Sequence, residues 1–202
     1  MGKFTTLTAT AVPMPYTSVD TDQLIPARFM SRPRAQGYGD LLLADRRAEP
    51  GFPLNNPSYA GARIMVARRN FGSGSSREAA VYALVDAGIR CVIAPSFGNI
   101  FAANAANNGL LPARVSEEEA EELLAYLQSG RAELTVDLQS CRIGADMAFT
   151  VEPVARMKLL NGWDDFDLTL SHKADIAVFA SHDAIKRPWA IPHPSRTPGT
   201  AS

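Results

Sequence analysis

Cysteine is nearly absent from this sequence: Cys91 and Cys141 are the only two in 202 residues, and they lie far apart. An iron–sulfur cluster or structural metal needs three or four ligands at close, recurring spacing. The chain is therefore expected to hold no cluster or metal of its own, and both cysteines read as ordinary free thiols, Cys91 within a buried strand. Long apolar runs are also missing, and none approaches the ~18 residues a membrane span requires. The opening residues lack the charged and apolar regions of a signal peptide, which points to the cytoplasm. Charge of one sign is not in excess: 20 basic and 21 acidic residues leave a net charge of −1. That balance excludes the basic footprint of a nucleic-acid surface. No internal repeat is present.

What is present is a hydrophobic fraction of 46%, enough to enclose one core, and the length favours a single domain with an accessory segment. Residues 4–12 alternate and are rich in Thr and Val, predicting a strand that Pro13-Met14-Pro15 stops. Residues 30–59 are thick with Arg, Gly and Pro and show no sustained period. They predict a long irregular excursion, with a short helix around 40–45. Residues 63–67 and 89–94 read as apolar strands on either side of a helix over 75–87 that ends at Gly88. Strand, helix and strand at this spacing form a βαβ unit with two parallel strands, so the fold class is α/β with a partly parallel sheet flanked by helices. A second helix is predicted over 97–107, with Ser96 as its cap and Gly109 closing it. A third starts at Ser116, which forms a capping box with Glu119 and carries Ala120, Leu123, Leu124 and Leu127 on one face before Gly130. Short strands over 132–137 and 147–151 follow, then helical segments over 154–180. The Pro-rich residues 186–202 read as a loosely held tail, leaving 1–185 as the domain.

The chemistry concentrates in Arg69-Asn70-Phe71-Gly72-Ser73-Gly74-Ser75-Ser76-Arg77-Glu78, between a strand and a helix. Gly72 and Gly74 permit a sharp turn and close approach to a ligand. If the helix opens at Ser75, the N–H groups of Ser75, Ser76 and Arg77 are unpaired donors at its positive end. Arg77 adds a planar fork suited to a carboxylate. A dinucleotide fingerprint asks for glycine where Arg77 stands, and a P-loop asks for Gly-Lys before the Ser or Thr; neither is present. Two readings stay open: an anion-binding loop with a hydroxyl beside it, and a tight turn capping a helix with Arg77 in a surface ion pair.

Several blocks, in order, carry a resemblance. The segment from Asn70 to Glu78 resembles the signature loop of the swivelling domain in the aconitase superfamily. Val19-Asp20-Thr21-Asp22-Gln23-Leu24-Ile25-Pro26 is similar to the entry motif of isopropylmalate isomerase small subunits. Ala94-Pro95-Ser96-Phe97-Gly98-Asn99-Ile100-Phe101, Asn107-Asn108-Gly109-Leu110-Leu111-Pro112, Leu160-Asn161-Gly162-Trp163-Asp164-Asp165 and Leu168-Thr169-Leu170-Ser171-His172 fit the same family. The resemblance implies a swivelling β/β/α domain that closes over a small dicarboxylate held on a [4Fe–4S] cluster in a separate large subunit. It implies Ser75 as catalytic base and Arg77 as carboxylate clamp, with Gly74 and Ser76 completing the substrate loop. The implied reaction isomerises 2-isopropylmalate to 3-isopropylmalate by dehydration and rehydration, in leucine biosynthesis. The family's usual histidine after Ser-Ser-Arg-Glu is replaced here by Ala79, and the arginines of the excursion are placed differently from familiar members.

Those departures keep other substrates open, namely methylmalate, dimethylmalate or homoaconitate, and also a non-catalytic anion-binding module. Arg28 and Arg34 are candidates to reach a substrate carboxylate across the mouth of the site; otherwise they are solvated or meet the partner chain. Asp20 and Asp22 read either as an acid–base pair or, more in keeping with an Asp-x-Asp turn, as acceptors for local backbone donors. His172 reads as a cap or packing residue.

Overall fold

The computed structural model describes residues 2–74 and 77–190. The chain divides into two compact units, Met1–Asp164 and Asp165–Ser202. The predicted strand at the start is β1, Thr6–Met14, and it runs through Pro13 rather than stopping before it. The reason lies in a change of partner. Residues Thr6 to Thr10 pair antiparallel with β5, Glu133–Asp137, whereas Ala11 to Met14 pair parallel with β2, Ile64–Ala67. Pro13 falls beyond the β5-paired stretch, so its missing N–H breaks no rung of that ladder.

The parallel side of the sheet continues from β2 to β3, Cys91–Ala94, and to β4, Leu111–Arg114. The antiparallel side continues from β5 through the two-residue strands β6, Arg142–Ile143, and β7, Met147–Ala148. The order is β4-β3-β2-β1-β5-β6-β7, so the expected βαβ unit forms the middle of a mixed sheet. β4 and β6 were not foreseen from sequence; β4 falls in Leu111-Pro112-Ala113-Arg114, where a proline argues against a strand.

Side chains alternate between two cores, as buried parallel strands require. Met65, Ala67, Val92 and Ala94 enter one core, and Ile64, Val66, Cys91 and Ile93 enter the other. Helix α5, Glu117–Gln128, covers the second. The capping box is present as predicted, with Glu119 N–H donating to Ser116 Oγ at 3.1 Å and Ser116 N–H donating to Glu119 Oε2 at 2.7 Å. Its Leu123, Leu124 and Leu127 are buried, each stabilising by about 1.5–3 kcal/mol relative to exposure.

The first core is closed by α1, Thr21–Leu24, by α3, Glu78–Asp86, by α4, Asn99–Asn107, and by the excursion. The excursion is a chain of short 3-10 turns and one four-residue helix, α2, Ala44–Arg47. Leu42, Leu43 and Phe52 anchor it in the core. Its near end is clamped to the last turn of α3: Arg34 donates to both carboxylate oxygens of Asp86 at 2.7 and 3.0 Å, and Tyr38 N–H donates to the same group at 2.8 Å. A Cβ on Gly39 would stand 2.6 Å from the Asp86 carbonyl, so that approach needs glycine.

Two helix starts differ from expectation. α3 begins at Glu78, with Arg77 as an extended N-cap at φ −106°, so Arg77 is not within the first turn. α4 begins at Asn99 with Gly98 as cap and no side-chain cap bond; Ser96 instead accepts the N–H of Asn70 at 2.9 Å. The helical stretch predicted over 154–180 is three helices. α6, Pro153–Asn161, closes the first unit and ends on Gly162 in the left-handed region at φ 74°. The second unit contains α7, Asp165–Ser171, and α8, Lys173–Lys186. Residues 191–202, most of the predicted tail, lie outside the described residues.

Candidate functional site

The site forms outside the carboxyl ends of β2 and β3, where open α/β sheets place their ligand crevices. After β2 the chain enters residues 69–74, with Asn70 at φ 63°, Gly72 at φ 70° and Gly74 at φ 91°. Left-handed residues at every second position keep this backbone from continuing as strand or helix, and neighbouring loops take up its hydrogen bonds. Gly72 N–H donates to the Val19 carbonyl at 2.7 Å, and Thr21 N–H to the Ser73 carbonyl at 2.9 Å. Phe71 N–H donates to the Ser96 carbonyl at 3.0 Å, and Gly98 N–H returns to the Phe71 carbonyl at 2.9 Å. Three loops distant in sequence are thereby stitched into one wall.

Contact distances explain the glycines. A Cβ on Gly72 would lie 2.2 Å from Cγ of the Phe101 ring, and one on Gly98 would lie 2.5 Å from the Gly72 carbonyl oxygen. Phe101 is itself fixed by Phe71, edge-on at 5.5 Å between centroids, and by Phe97, stacked at 6.3 Å. Next to this wall opens a cleft of about 260 Å³. Thr21, Gly72, Ser73, Gly74 and Arg77 line one side, and Asn99, Ile100, Phe101 and Asn104 of α4 the other.

Of the residues singled out in the sequence, the fold brings Gly74 and Arg77 to this cleft. Ser75 and Ser76 lie outside the described residues, between two positions that line it. Arg77 forms an ion pair with Asp22 of α1, and its side chain keeps 26% of its exposure. A carboxylate thus already sits on the guanidinium. Asp20 plays the part expected of a turn residue, its Oδ1 accepting the N–H of Gln23 at 2.8 Å as the cap of α1.

Arg28 and Arg34 are not among the residues lining the cleft. Arg28 pairs with Asp45, whose carboxyl is held below its ordinary range by that guanidinium. Arg34 is bound to Asp86 at the far end of α3 and lies over the Tyr82 ring at 4.3 Å. Ala79 is half-buried and packs against the first core. His172 is exposed in the second unit, 3.4 Å from Asp175. Asn99, Ile100 and Asn104 were missed as site residues; the signal available was that 91–107 repeats the strand–turn–helix order of 64–86.

No group of three or more His, Cys, Asp or Glu among the described residues is placed to hold a metal ion. Cys91 is fully buried in β3, where burial pushes its thiol up, and Cys141 is half-buried with Sγ 3.5 Å from the Leu138 carbonyl. The described residues offer no ligand set for a cluster.

Comparison with known proteins settles the family. Residues 1–118 match the Aconitase C-terminal domain. The 3-isopropylmalate dehydratase small subunit of Rhodospirillum centenum is 44% identical over 202 residues, covering 95% of this chain and 100% of that one. The chain belongs to this family of small subunits. The small subunit of the same name from Shewanella sp. (strain W3-18-1) is 45% identical, over 89% of this chain and 96% of its own. The one from Bifidobacterium animalis subsp. lactis is also 45% identical, over 94% and 85%. The fold matches the crystal structure of a 3-isopropylmalate dehydratase from Methanocaldococcus jannaschii with a TM-score of 0.64, covering 85% of this chain and 98% of that chain at 24% identity. The small-subunit name of the relatives implies a larger partner subunit. Among the described residues, no helix is long and apolar enough to cross a membrane.

Proposed function

We propose that this chain is the cytoplasmic small subunit of a two-chain hydro-lyase, isomerising 2-isopropylmalate to 3-isopropylmalate by dehydration and rehydration in leucine biosynthesis. The observation that carries the reading is Arg77 at the edge of a glycine-walled cleft, directly after Ser75 and Ser76 and already paired with a carboxylate. In the proposal a substrate carboxylate takes the place of Asp22 on the Arg77 fork, which orients the adjoining carbon toward Ser75. Ser75 Oγ removes the proton from that carbon, holds it while the enoic acid is present, and returns it on rehydration. Gly74 and Ser76 shape the loop around the substrate.

A serine of ordinary acidity is far too weak for this step, so its anion needs preorganised donors. The positive end of the α3 dipole and the Arg77 charge are the groups available, and such arrangements supply several kcal/mol. The cluster, which belongs to the large subunit in this proposal, supplies Lewis acidity for the departing hydroxyl. Substrate choice follows from the same geometry. Arg28 and Arg34 are engaged with Asp45 and Asp86, while Ile100 and Phe101 stand in the cleft. An apolar substituent suits that wall better than the extra carboxylate of a homoaconitate-type substrate.

The test is anaerobic turnover of 2-isopropylmalate by this chain mixed with a cluster-loaded large subunit, each chain alone serving as control. Activity is expected only in the mixture, and Ser75→Ala is expected to lower kcat by at least ~10³-fold with little change in KM. Undiminished turnover by Ser75→Ala would remove the base assignment.

A further inference from the structure

Most residues in the second half of α4 have a local reason to be there. Ala102, Ala103, Ala105 and Ala106 are of the type that forms helices best. Asn107 Oδ1 accepts from Lys158 Nζ at 2.7 Å. Asn108, just past the last turn, donates from Nδ2 to Glu78 Oε1 and to the Asn104 carbonyl, both at 2.9 Å. Asn104 is the exception. It stands half-buried in the interior of the helix, between two pairs of alanines, and its side-chain amide has no hydrogen-bond partner among the described residues. Asparagine is a poorer helix former than alanine because its side chain competes for backbone groups. Nothing within the helix offsets that cost.

Asn104 faces the cleft instead. It follows Ile100 and Phe101 by about one turn, so the three share one side of α4 and line the wall across from Arg77. That wall is held at both ends. Phe101 is wedged against Gly72, Phe71 and Phe97, and Asn108 joins the end of α4 to Glu78, the residue after Arg77. Among the described residues lining the cleft, Arg77 carries the only charge. A small dianion entering here meets one cation on one side and a neutral amide with two N–H donors on the other. A carboxylate offers about four acceptor sites, and a guanidinium fork takes two of them. The amide can fill a third without the burial of a second cation.

We infer that Asn104 is a substrate-binding residue, its Nδ2 donating to the carboxylate held by Arg77 from the opposite wall of the cleft. This rests on the hydro-lyase reading given above. Removal of a proton from the carbon beside that carboxylate pushes negative charge onto its oxygens, so the hydrogen bond strengthens as the reaction proceeds. Loss of the amide therefore lowers kcat as well as raising KM. A side chain that weakens its own helix and serves the cleft is a local trade of stability for activity.

The experiment uses the full chain carrying Asn104→Ala, Asn104→Asp or Asn104→Gln, each assembled anaerobically with the cluster-loaded large subunit. It reads turnover of 2-isopropylmalate, affinity for succinate by calorimetry, and the melting temperature of the chain. Succinate has two carboxylates and no hydroxyl to lose, so it reports the carboxylate contact apart from the chemistry. Asn104→Ala is expected to lower kcat/KM and succinate affinity by ~10–100-fold, the range for a hydrogen bond to a charged group. Its melting temperature should equal or exceed that of the wild type, since alanine is the better helix former. Asn104→Asp should lose more, through like-charge repulsion, and Asn104→Gln less. Unchanged kcat/KM in Asn104→Ala overturns the inference and leaves the reaction standing. Lowered turnover with unchanged succinate affinity refutes the carboxylate contact. A parallel fall in melting temperature or in large-subunit affinity makes the role structural, and also overturns it. A wild-type complex that turns over no 2-isopropylmalate, yet binds succinate more tightly than Asn104→Ala does, supports the inference and sinks the substrate assignment. A wild-type complex that does neither overturns both.

Discussion

Gly72→Ala is the substitution that most directly probes how the site is held. The new Cβ would meet the Phe101 ring at 2.2, 2.5 and 2.6 Å, and the residue's φ of 70° disfavours any L side chain. Left-handed backbone costs ~1–2 kcal/mol for a residue with a Cβ, and overpacking a well-filled core costs ~1–3 kcal/mol. Phe101 is buried between Phe71 and Phe97 and has little room to yield. The expected loss is about 3 kcal/mol, which for a chain of this size lowers Tm by roughly 6–12 °C. If the loop shifts to relieve the clash instead, less stability is lost and turnover in the reconstituted complex falls by ~100-fold, because Phe101 and Gly72 both line the cleft. Adding Phe101→Leu removes ring atoms from the contact, so the double variant should recover ~1 kcal/mol relative to the sum of the singles. Urea unfolding and anaerobic turnover of all three variants measure both quantities. A Gly72→Ala chain with wild-type stability and wild-type turnover would refute the reasoning.

Two smaller perturbations follow. Ser116→Ala removes the acceptor for Glu119 N–H and leaves the start of α5 with an unpaired donor; a loss of ~1 kcal/mol in urea unfolding is expected, with turnover unaffected. Asp137 accepts from the Ser140 hydroxyl and from Gln139 N–H, which hold its carboxyl below the ordinary aspartate value of 3.8. A folded value below the unfolded one contributes stability that is present above 3.8 and is lost as pH falls through the folded value. Asp137→Asn should therefore flatten the acid limb of the stability profile below that pH, and an unchanged slope there would show that the turn contributes nothing.

Much of the fold was legible along the chain because it rests on local regularities. The apolar runs at 64–67 and 91–94, joined through a helix closed by Gly88, specify parallel strands in a βαβ unit. The Ser116–Glu119 pair and the leucines behind it specify α5 to the residue, since capping and a helical stripe are short-range signals. The Gly72 and Gly74 turn before Arg77, which lines the cleft, was legible for the same reason, its backbone demands being readable in the residue types. Pro13 misled, because whether a proline breaks a strand depends on which of its edges has a partner.

Tertiary structure decided what no local pattern encodes. It tied residues 18–21, 69–74 and 96–98 into one wall, and it set Phe101 against Gly72, contacts between segments whose spacing in sequence carries no period. It gave Arg77 to Asp22 and turned Arg28 and Arg34 to Asp45 and Asp86, since a guanidinium takes whichever carboxylate the packing of its element brings near. Residue type by itself fixes how hydrophobic a segment is, and only the packed chain determines which of that surface the core takes up.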